Sequence, residues 1–236
     1  GEIINQIAKM QYMSSGRLRM PLLLRGCVGI GHSAATHHSG SYHSIYSHIP
    51  GLRVVMPATP SDARDLLIAA VQSPDPVLYI DDRWLYEWED DVAPACDLDL
   101  SRIGPQILRE GTDITIGAAS FSVKLALDCA ELLQKEGISC EVVDARVLNP
   151  FDPALIRKST LKTGRFLAVD GGWANCGFAG EMIASVVEAV HPSAMRSAPA
   201  RITLPAAPAP TSKPLEAAYY PTVDTIAETV RRMVAG

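Results

Sequence analysis

GHSAATHHSGSYHSIYSHIPGLRVVMPATPSDA, residues 31–63, comes shortly after the apolar run Met20-Pro21-Leu22-Leu23-Leu24 and holds five of the chain's six histidines: His32, His37, His38, His43 and His48. A short apolar run leading into a Gly- and His-rich loop is the pattern of a buried strand that delivers side chains to a site at its carboxyl end. A metal site and a solvated loop are the competing readings of the same cluster. Past the loop, Leu52-Arg53-Val54-Val55 makes a second short strand closed by Pro57. Thr59-Pro60-Ser61-Asp62 then opens a helix, with Thr59 as N-cap, Pro60 in the first turn and Asp62 near the positive end of the dipole. The helix is expected to run to about Val71, and Pro76-Val77-Leu78-Tyr79-Ile80 returns as a buried strand.

The rest of the chain extends this alternation. Ile3, Ile4, Ile7 and Ala8 lie at helical spacing, so the chain opens on an amphipathic helix ending near Ser14-Ser15-Gly16. Residues 81–104, acidic, Pro-containing and studded with aromatics, read as a connection between domains. Strands are expected at 113–116, 140–143, 165–169 and 200–203, and helices at 123–135 (stopped by Gly137), 153–159, 180–190 and 223–234. Strand–helix alternation through both halves argues for two α/β domains with mainly parallel sheets and function at the strands' carboxyl ends. Leu204-Pro205-Ala206-Ala207-Pro208-Ala209-Pro210 reads as a stiff ordered loop.

Composition narrows the function classes. With 47% hydrophobic and 20% charged residues in 236, the chain has the makings of a globular core, not of disorder. A net charge of −5 with scattered Lys and Arg argues against a nucleic-acid partner. Without a run of about 18 apolar residues, a membrane span is not expected, and the chain reads as cytoplasmic. Cys27, Cys96, Cys129, Cys140 and Cys176 are odd in number and lack metal-site spacing, so reduced and mostly buried thiols are expected.

The combination of motifs is more specific than the alternation. His38-Ser39-Gly40 is followed by Tyr46-x-His48-x-Pro50-Gly51-Leu52-x-Val54-Val55-x-Pro57-x-Thr59-Pro60-x-Asp62-Ala63, Asp75-Pro76-Val77 and Leu85-Tyr86. The second half adds Gly111-Thr112-Asp113-Ile114-Thr115, Glu136-Gly137-Ile138, Val143-Asp144-x-Arg146-Val147-Leu148-x-Pro150-x-Asp152 and Thr163-Gly164-Arg165. This succession resembles the β subunit of the thiamine-diphosphate-dependent 2-oxoacid dehydrogenases, members of the transketolase superfamily. The resemblance spans about positions 1 to 230 and rests on many spaced motifs, none specific alone.

That resemblance implies part of a transketolase-type pyrimidine-binding domain at 1–81, a linker at 82–104 and a transketolase C-terminal domain at 105–236. It implies a subunit that decarboxylates a 2-oxoacid and passes the acyl group to a lipoyl-bearing acyltransferase, within an α2β2 heterotetramer. Thiamine diphosphate would be shared, its diphosphate and magnesium on the α subunit and its aminopyrimidine on the β subunit. The residues agree with that division, for they show neither a phosphate-cradling Gly-rich loop before a helix nor a magnesium carboxylate set. The glutamate that contacts the aminopyrimidine in the family is expected upstream of Gly1, in about 80 to 100 residues that would complete a domain of ordinary size. The chain is then either a piece of a longer subunit or half of a site that a second chain completes.

Among the histidines, His38 matches the family's active-site histidine, and an imidazole there can donate to a developing oxyanion or shuttle a proton. The family usually carries glutamine where Gly40 stands. His32 and His37 are candidates to line the same cleft. His43 and His48, five residues apart on a short helix, do not share a face as a metal pair would, and His48 is expected to hold the turn before Pro50-Gly51. The resemblance also implies a potassium site of backbone carbonyls, at Leu22, Ala70, Val71, Ser73 and Asp75. The acidic run 87–91 reads as solvated, and Trp84, Tyr86 and Trp88 as packed between domains. Two other readings stand beside this one: a split transketolase-like or acyloin-forming enzyme using the same cofactor, and a non-catalytic assembly module.

Overall fold

The computed structural model describes residues 1–29 and 33–236. After a π-helical turn at Glu2–Ile7 and the short α1 (Met10–Met13), the first half contains β1 (Leu23–Val28), α2 (His43–Ser47), β2 (Arg53–Val55), α3 (Pro60–Gln72) and β3 (Val77–Asp82). The second half contains β4 (Gln106–Arg109), β5 (Ile114–Ala118), α4 (Phe121–Gln134), β6 (Cys140–Asp144), β7 (Val147–Asn149) and α5 (Ala154–Thr163). It continues through β8 (Phe166–Trp173), α6 (Phe178–Val187), β9 (Ala200–Leu204), α7 (Lys213–Tyr219) and α8 (Val223–Ala235).

Local chemistry sets these elements as their residues suggest. The Thr59 hydroxyl accepts from Asp62 N at 3.1 Å and Pro60 occupies the first turn, which together start α3. Gly137 at φ +80°, a conformation that costs glycine nothing, ends the α4 region. A reciprocal Thr222/Thr225 capping box opens α8, whose buried Ile226, Ala227, Val230 and Met233 form one helical stripe. The α2 segment is shorter than the histidine spacing suggests: His43 begins it and His48 caps it. Two 3-10 turns, Arg83–Leu85 and Leu100–Arg102, punctuate the connection between the halves.

The two sheets are mainly parallel, as expected of strands joined by crossover helices. The first has the order β1-β3-β2-β7 and the second β4-β6-β5-β8-β9. In the first, β1 and β2 both run parallel to β3, with Leu23 opposite Val77 and Val28 opposite Asp82. Its fourth strand, β7, comes from the second half and pairs antiparallel with β2. Asn149 Nδ2 reinforces this graft, donating to Ile49 O at 2.7 Å and to Leu52 O at 2.6 Å. The edge strands β4 and β7, of four and three residues, have no alternation long enough to announce them in the sequence.

Apolar layers follow. One holds Val54, Met56, Leu78 and Ile80 against Phe166, Ala168, Phe178 and Met182, so both halves share a core. A second packs β5, β6 and β8 under α4 and α8, and a third packs α3 on β2 and β3. Trp84 stacks on Phe121 with ring centres 5.7 Å apart and Lys124 Nζ lies 5.4 Å from the Trp88 ring, so both tryptophans reach α4. Tyr86 departs from expectation: it is 57% exposed, because its hydroxyl turns to Asp81 at 2.7 Å. The thiols depart as well, since Cys129 and Cys140 are buried while Cys27, Cys96 and Cys176 are exposed in or beside loops and strand ends. The Pro-rich stretch is ordered, its Ala207 carbonyl accepting from Trp173 Nε1 and the Tyr219 hydroxyl.

A polar cluster also joins the halves. The Arg146 guanidinium lies 2.7 Å from Asp62 Oδ1, and Gln106 Nε2 donates to Asp62 Oδ2 at 2.8 Å. Burial, with the nearby charge of Asp62, pushes the neighbouring Asp144 carboxyl up to about 7. Asp62→Asn frees Asp144 to ionise and take over Arg146. The expected loss is therefore ~1–3 kcal/mol, against the ~3–5 kcal/mol of an uncompensated buried charge. Adding Asp144→Asn restores the larger cost, and chemical denaturation of the two single variants and the double variant measures the difference.

Candidate active site

The His-rich loop leaves the carboxyl end of β1, where parallel sheets place their chemistry. A 3-10 turn spans Thr36–His38, with Ser33 at φ 57° and Ala35 at φ 66° before it. Such left-handed residues persist only where the surroundings over-determine them. Here Ser33 N donates to both Glu216 oxygens at 3.1 and 3.2 Å, the Thr36 hydroxyl donates to Ala209 O at 2.9 Å, and the buried Ser39 hydroxyl donates back to Ala35 O at 2.8 Å.

This framework leaves His37 and His38 exposed at the crest of the loop. Among the described residues, no side-chain hydrogen bond holds either ring. His32 lies outside the described residues. At Gly40 an added Cβ would fall 2.2 Å from the Tyr42 ring, so Tyr42 fills the space that a larger residue would need. Tyr42 in turn packs against Trp173 at 5.9 Å between ring centres.

His43, at the first turn of α2, is the histidine that the sequence undervalues. Its Nε2 lies 2.9 Å from Asp170 Oδ1 on β8, and both side chains are almost wholly buried. Asp170 also accepts from Gly172 N at 3.1 Å and from Ala179 N at 3.2 Å, which places its charge at the amino end of α6. Burial pulls the imidazole down, but the charge and hydrogen bond of Asp170, with Asp82 behind them, prevail and raise it. Burial likewise works against ionised Asp170, yet His43 and the two backbone donors hold its carboxyl below the usual range. Asp82, at the end of β3, is pushed up to about 7 by burial, against the Trp84 N–H and His43. The sequence signal was thin: an acid at the end of the strand Phe166-Leu167-Ala168-Val169, 127 residues from its partner.

His48 caps α2 at the turn before Pro50 and lines a groove of about 640 Å³ with Asn149, Phe151, Cys176 and Arg201, while backbone bonds such as Ile49 N to Tyr46 O hold the turn. Leu22, Ala70, Val71, Ser73 and Asp75 sit together at the opposite, amino end of the first sheet. There Leu22 O accepts from Val77 N, Ala70 O from Ser73 N, and Asp75 O from the Ser73 hydroxyl. The loop and these carbonyls are thus separate places. Among the described residues, no group of three or more His, Cys, Asp or Glu side chains could hold a metal ion. Among the described residues, no helix is long and apolar enough to cross a membrane.

Two α/β halves with mainly parallel sheets are the architecture of a transketolase-type protein. The comparisons agree: residues 3–87 match the transketolase pyrimidine binding domain and residues 105–226 the transketolase C-terminal domain. The β subunit of acetoin:2,6-dichlorophenolindophenol oxidoreductase from Cupriavidus necator is 36% identical over 235 residues, covering 100% of this chain and 69% of its own. The mitochondrial pyruvate dehydrogenase E1 component subunit beta of Ascaris suum is 36% identical over 233 residues, 98% of this chain and 64% of its own. A solved split-gene transketolase, described as an inactive beta4 tetramer, shares the fold with a TM-score of 0.77 at 20% identity, covering 99% of this chain and 71% of that one. The chain belongs to the transketolase-type family, in the branch of the 2-oxoacid dehydrogenase β subunits. It spans roughly two thirds of the length of these two relatives.

Proposed function

We propose that the chain serves in a thiamine-diphosphate-dependent 2-oxoacid dehydrogenase that decarboxylates a 2-oxoacid and delivers the acyl group to a lipoyl-bearing partner. The observation that carries this reading is the placement of His38: exposed beyond the carboxyl end of β1, on a loop fastened by Ser33 and Thr36 before it and by Ser44 after it. An imidazole so presented suits a site whose other wall belongs to another subunit. We read the chain as half of the cofactor cradle, with an α subunit in an α2β2 assembly supplying the diphosphate and magnesium side.

Bound thiamine diphosphate supplies the carbanion-stabilising chemistry. His38 donates a proton to, or takes one from, the oxygen on which charge develops, and the Glu216 and Ala209 contacts hold its loop in position. We read residues 1–81 as pyrimidine-binding, 82–104 as linker and 105–236 as the C-terminal domain, with the cytoplasm as the place of action. The Leu22, Ala70 and Asp75 carbonyls each keep a second lone pair beyond the hydrogen bond they accept, which suits a potassium ion completed by Val71 and Ser73.

The test is reconstitution of the full-length subunit with its α partner and a panel of 2-oxoacids. Acyl transfer to a lipoyl domain is the expected result. Acyloin formation without that transfer would favour a split transketolase-like enzyme, and the absence of either would leave an assembly module.

A further inference from the structure

Among the described residues, contacts on both sides of His38 fix its loop to the second half. The Ser33 and Thr36 contacts lie before His38, and after it the Ser44 hydroxyl accepts from Phe178 N at 3.0 Å. Between these stands His43, buried, five residues past His38 and bonded to Asp170. An ionised carboxylate only accepts, so Nε2 carries a hydrogen and Nδ1 is the atom that gains or loses the titrating proton. Nδ1 is buried without a hydrogen-bond partner among the described residues. The fit is close on the far side: a Cβ on Gly172 would fall 3.0 Å from His43 Cε1 and 3.1 Å from Asp170 Oδ2. A charged ring that becomes neutral here therefore loses attraction to Asp170 with no other partner to replace it.

We propose that His43 is a positioning residue whose protonation clamps the His38 loop onto β8 and α6, so that the working loop is docked when His43 is charged and loosened when it is neutral. The inference rests on the reading of His38's loop as the working loop. The charged groups facing His43 are Asp170 on β8 and Asp82 at the end of β3. On its own helix the titratable groups are Tyr46, the N-cap residue Tyr42 and the C-cap residue His48. On α6 it is Glu181, which lines the outer groove with His48 and Arg201.

The direction follows from these groups. Below the ordinary imidazole value of about 6.5 the ring is charged in both folded and unfolded chains, and the clamp is at full strength. As pH rises through the raised folded value, the proton leaves and the clamp's contribution goes with it. Asp82 keeps its proton in the folded chain up to about 7, and above that it holds a buried charge that helps retain the imidazolium. Release therefore falls above the ordinary imidazole range. Asp170 stays ionised throughout, since its carboxyl is held low.

The experiment is hydrogen exchange of residues 33–48 at pH 6 and pH 9 in the full-length subunit assembled with its partner, using residues 223–235 as the internal reference for intrinsic rate. Protection of the loop is expected to drop on the order of tenfold in the unaltered protein. In His43→Gln, which keeps a neutral donor toward Asp170, it should change less than twofold. If His43→Gln does not assemble, Asp170→Asn and the Cε1–H titration of His43 by NMR replace it. Equal loop protection at the two pH values, or a loop response that ignores the His43 titration or persists in the variant, overturns the proposal. Loop protection is read without turnover, so this inference and the proposed reaction fail separately.

Discussion

Replacing His38 by alanine is expected to lower turnover of the reconstituted enzyme by about 10²- to 10⁴-fold, the range of a lost general acid or base. The fold should hardly notice. The ring is exposed, and among the described residues its side chain makes no hydrogen bond, so the change belongs with surface substitutions, within about 0.5 kcal/mol. The loop's supports, from Ser33 to Glu216, from Thr36 to Ala209 and from Ser39 to Ala35, involve other atoms and remain. The measurement is kcat with assembly checked in the same preparation. Unchanged turnover would remove His38 from the mechanism, and loss of assembly would make it a structural residue.

Phe166→Ala should have the largest effect on stability, ~3–5 kcal/mol for an aromatic ring removed from a core. Phe166 is fully buried at the start of β8, in the layer shared by both halves. Its ring lies against Gly117 of β5, where a Cβ would sit 2.9 Å from Phe166 Cε2, so backbone and ring are already in close contact. Collapse into the vacated volume would need β5 or α6 to move, and both are tied by parallel neighbours and by Asp170. Denaturant midpoints read the loss. A fall of less than about 1 kcal/mol would mean that the shared layer repacks freely.

The fold could be read from the sequence wherever a local rule set an element: the Thr59-Pro60 helix start, the Gly137 stop, and the buried strands around Val77 and Ile114. Such features depend on neighbours in the chain. The grafted strand Val147–Asn149 depends on a partner almost a hundred residues earlier, and three residues carry no period. The motif could place His38 on a loop after a strand, but not its exposure. His43 looked like one more loop histidine because its meaning lies in Asp170 and Asp82, which only the fold brings to it. His48 caps the turn its neighbours suggested, and the groove it also lines is made largely by the second half, which the sequence did not show.

The strand β7 alters what the connection at 82–104 can be. It looks like a hinge by composition, yet the first sheet closes on β2 only through backbone bonds supplied from beyond it. Severing the polypeptide there would yield two pieces that still hold each other, one of them keeping the other's missing edge. Shuffled alone into a new protein, the first piece would carry a raw edge at Val54 and Val55. The two halves are separate in sequence, and joined in one sheet.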